Sequence, residues 1–226
     1  MSVLAIAHRG DPVAERENTL PAFAAAVEAG ADMIELDVRC TSDGHAVVVH
    51  DPTLDRLWGV SRRVGDLAVE DVRGLGIPDL ADALAAIPAH VQVMVDYEER
   101  AVAEPALDAV IASGALERCL FSGDCYDGHR AIRRQAPDAR IACTWTSEAP
   151  VADALLDELG AEYWNPNGNV LARAPEQIER MHARGTLVSV WTIDRREDME
   201  HFLRLGVDAV ITNRVAALVE LLERVC

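Results

Sequence analysis

A (β/α)8 barrel is the fold class this sequence predicts, on three observations. Short β-branched runs alternate with amphipathic helical stretches almost to the C-terminus, the pattern of parallel βα units. Eight of each can be marked out. Polar and titratable residues fall where the apolar runs end, the rim on which barrel enzymes carry their sites. An open doubly wound sheet would instead need a glycine-rich dinucleotide loop after the first strand, and there is none. The chain's 226 residues suit one such domain, so residues 1–226 are read as a single barrel.

The first strand is read over Val3–Ala7 and runs into His8-Arg9-Gly10. Asn18-Thr19 then caps a helix over Leu20–Ala29, with Pro21 in its first turn. The second strand, Met33–Val38, projects Glu35 and Asp37 to one side and Ile34, Leu36 and Val38 to the other. After it comes a β-hairpin arm. With Asp43-Gly44 as a two-residue type I′ tip, Ser42 faces His45, Thr41 faces Ala46, Arg39 faces Val48 and Asp37 faces His50 on the return strand Ala46–His50. Residues Pro52–Pro78 fit no barrel element and are read as a short insertion above the active face. The remaining strands are Val91–Tyr97, Cys119–Ser122, Arg140–Trp145, Glu162–Asn165, Leu187–Thr192 and Ala209–Thr212. The helices between and after them are Leu80–Ala86, Pro105–Ser113, Gly128–Gln135, Val151–Leu159, Pro175–Ala183, Glu197–Leu205 and Ala216–Val225.

Composition narrows the function. The net charge of −17, from 38 acidic against 21 basic residues, repels nucleic acid and anionic membranes. All 21 basic residues are arginine, which excludes lysine Schiff-base chemistry and pyridoxal phosphate with it. Five scattered cysteines form no C-x-x-C pair and are odd in number, so free thiols in a reducing cytoplasm are expected rather than a disulfide framework. No secretion signal or apolar span suggests a stable membrane anchor.

A lone strand-end histidine or carboxylate is usually structural or a solvated cap. The set here is different, because two histidines, several carboxylates and an arginine on one rim are costly to desolvate without a cation or ligand. Glu35, Asp37 and Asp96 offer hard oxygen donors suited to one divalent ion of the Mg²⁺, Ca²⁺ or Mn²⁺ type. Strand alternation puts Glu98 on the face of Asp96, as a fourth donor. Such an ion would draw in a phosphate that the overall charge repels, and Arg9 could grip that phosphate with paired hydrogen bonds. His8 and His50 then serve as general base and acid on either side of phosphorus. Trp191 is placed at the pocket wall; Trp145 and Trp164 are assigned to packing, and His45, His90, His129, His182 and His201 to solvent-exposed positions.

His8-Arg9-Gly10, Glu17-Asn18-Thr19, Glu35-Leu36-Asp37, Asp43-Gly44 and His50-Asp51-Pro52, with Phe121-Ser122, Trp191-Thr192-Ile193-Asp194 and Val207 to Asn213, resemble the glycerophosphodiester phosphodiesterase family in order and spacing. The resemblance spans nearly the whole chain. It implies a (β/α)8 fold, one divalent cation (Mg²⁺ or Ca²⁺) and hydrolysis of a small-molecule glycerophosphodiester to sn-glycerol 3-phosphate and an alcohol. It also implies that His8 and His50 are the acid–base pair, that Arg9 binds phosphate and that Glu35 and Asp37 hold metal. The third-strand motif departs from the family's usual Glu-x-Lys: this chain has Asp96-Tyr97-Glu98, a shorter acid and a reversed charge. That departure motivates two further readings, a catalytically weak relative that binds a phosphorylated metabolite and a phosphodiesterase of altered specificity. A metal-dependent aldolase or isomerase would account for the carboxylates but not for the paired histidines.

Overall fold

The computed structural model describes residues 3–225. In chain order it contains β1 (Leu4–His8), α1 (Leu20–Glu28), β2 (Met33–Cys40) and the arm strand β3 (Ala46–Val48). The insertion follows, with β4 (Thr53–Leu54), α2 (Asp55–Trp58), β5 (Val60–Arg63) and α3 (Val69–Arg73). Then come α4 (Leu80–Ala86), β6 (Gln92–Asp96), α5 (Arg100–Ala112), β7 (Cys119–Ser122), α6 (Tyr126–Gln135), β8 (Arg140–Trp145) and α7 (Asp153–Leu159). The chain ends with β9 (Tyr163–Pro166), α8 (Gly168–Arg173), α9 (Glu176–Ala183), β10 (Leu187–Val190), α10 (Arg196–Leu205), β11 (Ala209–Thr212) and α11 (Val215–Val225). The parallel strands run β1-β11-β10-β9-β8-β7-β6-β2, and a further β1–β2 pairing closes the barrel.

Strand alternation divides the apolar residues into two layers. Ile6, Met33, Met94, Leu120, Ala142, Tyr163, Ala209 and Ile211 fill the barrel interior, while Ala5, Ile34, Leu36, Val93, Phe121 and Ile141 face outward beneath the helices. Met33 and Met94 therefore point inward, and so do Glu35, Asp37 and Asp96 at the next inward positions toward the rim.

The arm corrects the expected register. Its pairs are Val38 with Val48, Arg39 with Val47 and Cys40 with Ala46. The Val49 amide, not His50, bonds the Asp37 carbonyl, at 2.9 Å. The turn holds three residues instead of two: the Thr41 amide meets the His45 carbonyl at 3.0 Å, and Gly44 alone takes positive φ, at 83°. The Asp43 carboxylate explains the choice, because it accepts the Thr41 hydroxyl at 2.6 Å and the Val69 amide at 3.1 Å, and so stays in an ordinary conformation.

The insertion has a small core of its own, with Val47 and Val49 of the arm packed against Leu54, Val64, Leu67, Val69, Val72 and Ile77. Helix α5 starts five residues before Pro105, because Val102 and Ala103 are buried on the stripe that continues through Ala106 and Val110. His129 is buried, contrary to expectation: its Nδ1 meets the Tyr97 hydroxyl at 2.6 Å and its Nε2 the Gly123 carbonyl at 3.0 Å. Burial lowers its pKa to about 4, which keeps it neutral. Cys40, Cys119, Cys125 and Cys143 are free thiols, and Cys226 lies outside the described residues. Among the described residues no helix is long and apolar enough to cross a membrane.

Candidate active site

Parallel pairing lines up the rim. His8 is in register with Glu35, and Asp37 with Asp96, so three adjacent strands deliver four titratable groups side by side. They line a cavity of about 140 Å³ together with Arg9, His50, Glu98, Asp124, Thr144, Asn165 and Trp191. All eight residues expected in the site thus border one cavity, although His50 arrives from the arm by a different register.

The loop after β1 turns sharply. Arg9 and Asn18 both take left-handed backbone, at φ 61° and 58°, and Gly10 between them sits at 82°. A Cβ on Gly10 would stand 2.7 Å from the Ala22 carbonyl, so only glycine fits this turn against α1. The turn aims the Arg9 amide at Glu35 Oε2, 2.9 Å away, and the Arg9 side chain toward Asp37. Arg9 Nη1 donates to Glu17 Oε1 at 3.0 Å. Its Nε lies 3.0 Å from Asp37 Oδ2, at ion-pair distance but out of line for a hydrogen bond, and so is a buried donor without a bonded acceptor. Asn18 is fully buried; its Nδ2 donates to Asp37 Oδ2 at 2.7 Å.

Both histidines are fixed through Nδ1. His8 Nδ1 meets Asn213 Oδ1 at 2.8 Å, and the Asn213 amide group is oriented by donating to Asp194 Oδ2 at 2.8 Å. His8 therefore carries its proton on Nδ1 and leaves the Nε2 lone pair toward the rim, 4.0 Å from Glu35. Burial, then the nearby Arg9 charge, lowers the His8 pKa below its ordinary value. His50 Nδ1 donates to Asp51 Oδ1 at 2.7 Å. Arg39 Nε also donates to the His50 carbonyl at 2.8 Å.

The carboxylates repel one another. Burial, then Asp37 and Asp96, holds Glu35 well above the usual range, and burial with Asp37 raises Asp96 to about 7. Asp96 is only partly covered, yet it sits at the bottom of a protein-walled pocket. Glu98 lies beyond the end of β6; its carboxylate accepts from Arg39 Nη2 at 2.6 Å, and the residue borders the cavity with Asp96. Among the described residues no three acidic, histidine or cysteine side chains are drawn together in a ready ligand geometry. The donor chemistry nonetheless fits a hard divalent cation, because Glu35, Asp37 and Asp96 present only oxygens and two of them are driven toward protonation by their neighbours. Trp191, half-buried, donates its indole N–H to the Asn165 carbonyl at 3.0 Å and walls the opposite side.

The model of the glycerophosphoryl diester phosphodiesterase family matches residues 8–217. The chain belongs to that family. A glycerophosphodiester phosphodiesterase of Caldanaerobacter subterraneus subsp. tengcongensis is 30% identical to it over 99% of both chains. A probable glycerophosphodiester phosphodiesterase 2 of Mycobacterium tuberculosis is 31% identical over 97% of this chain and 90% of its own. Among solved structures, the glycerophosphodiester phosphodiesterase of Thermotoga maritima superposes with a TM-score of 0.86 at 26% identity, covering 98% of this chain and 99% of that one. The family is one of phosphoric diester hydrolases, and the chain is an enzyme of that class.

Several family-site contacts escape a strand-by-strand reading. Asn18 looks like a helix cap, but Thr19 takes that role with its hydroxyl on the Ala22 amide, which frees Asn18 for Asp37. Glu17, to which the sequence assigns no role of its own, holds Arg9. Asn213 and Asp194 lie 19 positions apart and act as one unit; both fall in stretches that resemble the family, but nothing in the sequence joins them to each other.

Proposed function

We propose that this phosphodiesterase hydrolyses small glycerophosphodiesters to sn-glycerol 3-phosphate and an alcohol, with His8 and His50 as the acid–base pair and one divalent cation, Mg²⁺ or Ca²⁺, held by Glu35, Asp37 and Asp96. Glu98 reaches that ion through water from the rim. The observation that carries the reading is the pair of imidazoles, each locked by an acceptor on Nδ1 and both bordering one cavity with Arg9 and the carboxylates. The cation, when bound, supplies Lewis-acid polarisation of the phosphate oxygens and neutralises their charge.

The chain's own residues do the rest. Arg9, in the cavity wall, binds a phosphate oxygen through its guanidinium. His8 Nε2 accepts the proton of the glycerol 2-hydroxyl as its oxygen attacks phosphorus. His50 gives a proton to the departing alcohol oxygen as the P–O bond breaks, leaving a cyclic phosphate. The roles then exchange: His50 takes a proton from water, whose oxygen opens the ring, and His8 returns one to the 2-oxygen. Thr144, Asn165 and Trp191 shape the wall against which the substrate rests.

Release of glycerol 3-phosphate over a panel of glycerophosphodiesters, with and without chelator, tests the proposal. Metal-restorable release is the expected result. Full activity after exhaustive metal removal would remove the cation from it, and no release from any member of the panel would remove the substrate class.

A further inference from the structure

Four arginines lie in the insertion and none of them lines the cavity, but the contacts of one, Arg56, single it out. Arg56, on the short helix α2, is about half exposed. Its guanidinium binds two carboxylates at once: Nη1 and Nη2 donate to Glu17 Oε2 and Oε1 at 3.1 and 2.7 Å, and Nε and Nη2 donate to Asp51 Oδ2 and Oδ1 at 2.5 and 3.1 Å. The particular oxygens matter. Glu17 Oε1 is the atom that accepts Arg9 Nη1, and Asp51 Oδ1 is the atom that accepts His50 Nδ1. One nitrogen, Arg56 Nη2, thus bonds both the oxygen that steadies Arg9 and the oxygen that steadies His50.

We infer that Arg56 is a positioning residue that couples the phosphate-gripping Arg9 to the acid–base His50 through Glu17 and Asp51. The inference rests on the hydrolase reading above and assigns a role to a residue of the insertion that never meets substrate. Two carboxylates this close would repel and rotate apart without a shared cation, and only a planar fork of donors can hold both in fixed orientation. A lysine, a point charge on a flexible stem, could neutralise them but not align them. The charge balance agrees: bonding to Arg56 holds Asp51 at about 2, and Arg56 and Arg9 together bring Glu17 below its ordinary value despite burial. Both acceptors therefore stay ionised across the working pH range, so Arg9 and His50 Nδ1 keep their partners. The Arg16 guanidinium stacks over Trp58, on the same helix as Arg56, at 5.7 Å.

The test compares Arg56→Met, Arg56→Lys, Glu17→Gln and Asp51→Asn in the metal-loaded enzyme, using sn-glycero-3-phosphocholine for kinetics and sn-glycerol 3-phosphate for calorimetric binding. Glu17→Gln should mainly raise KM, Asp51→Asn should mainly lower kcat, and Arg56→Met should do both, with kcat down roughly tenfold to a hundredfold, the range set by small misplacements of a catalytic group. Arg56→Lys should recover only part of the loss. Adding Asp51→Asn to Arg56→Met should lower kcat little further, since both act through one imidazole. The His50 ring nitrogens, followed by NMR, supply a readout that does not depend on turnover: the Nδ1–H form should dominate in the parent and give way in Arg56→Met. A parent that turns over no diester would sink the hydrolase reading alone, and the imidazole spectrum would then decide Arg56. A folded Arg56→Met protein with parental kcat, KM, product affinity and His50 spectrum would overturn the inference; so would full recovery in Arg56→Lys.

Discussion

Removing the cation should make the protein lose stability as pH rises toward neutrality, and Asp96→Asn should remove the Asp96 share of that loss, leaving the share of Glu35. Burial and the Asp37 charge raise the Asp96 pKa from 3.8 to about 7 in the metal-free site. A carboxyl whose folded-state pKa lies above its unfolded value favours folding while protonated, so its contribution is complete below pH 3.8 and disappears by about pH 7. At about 1.4 kcal/mol per pKa unit the rise sets a ceiling of about 4 kcal/mol. Solvent at the pocket mouth screens part of this, and about 2 kcal/mol is the expected loss. In a domain of this size that is a fall in Tm of about 4–8 °C. The assay is thermal unfolding followed from pH 4 to pH 8 in chelator and in excess Ca²⁺ or Mg²⁺. The metal-loaded parent should stay nearly level, the chelated parent should fall most, and the chelated Asp96→Asn protein should fall less, because only the raised Glu35 carboxyl remains. A chelated Asp96→Asn protein that declines as steeply as the parent would refute the account, because the charge crowding would then lie elsewhere.

Three other outcomes follow from the same geometry. Replacing His8 or His50 with alanine should cut turnover by at least roughly a hundredfold in a protein that still unfolds cooperatively, as kinetics and calorimetry on the two variants would show. Because burial and Arg9 depress His8, the base should stay unprotonated below its ordinary pKa, so the acidic limb of kcat/KM should have its midpoint under pH 6.5; a midpoint above that value would contradict His8 as base. Glu98→Gln should weaken metal binding about tenfold, the lower range for groups acting through a ligand or water, and lower the rate with it. Unchanged metal affinity with a lower KM for an anionic diester would mean that Glu98 acts only as a repelling charge.

The barrel was legible because its signals are periodic. Alternation sorted Ile34 and Leu36 from Glu35 and Asp37 correctly, and strand-end polarity led to His8, Asp37 and Asp96. What escaped was decided by side chains reacting to partners far away in sequence. The two-residue turn reads well for Asp43-Gly44, yet the Val69 amide from the insertion captures Asp43 and lengthens the turn by one. His129 lies on the buried face of its helix with Ala131 and Ile132, and nothing in the sequence shows that Tyr97, 32 positions earlier, provides its partner. Alternation put Glu98 on the face of Asp96, and both border the cavity, but it could not show that the strand stops at Asp96 or that Arg39 bonds the Glu98 carboxylate. Arg56 and Glu17 lie 39 positions apart, and neither spacing nor composition connects them.

The two imidazoles belong to different cores. His8 ends a barrel strand, whereas His50 follows an arm whose Val47 and Val49 are buried with the insertion. The reaction centre therefore lies on a seam, and past Val49 side-chain ion pairs hold that seam, with Arg39 on the His50 carbonyl and on Glu98 and Glu99, and Arg56 on Asp51 and Glu17. Apolar packing keeps the chain folded, and charge keeps its catalytic groups aligned. Ionic strength weakens exposed pairs and leaves hydrophobic packing intact, so catalytic alignment and thermal stability are governed by separate variables, and a lineage could retune the first by exchanging a few surface charges while the barrel stays as it is.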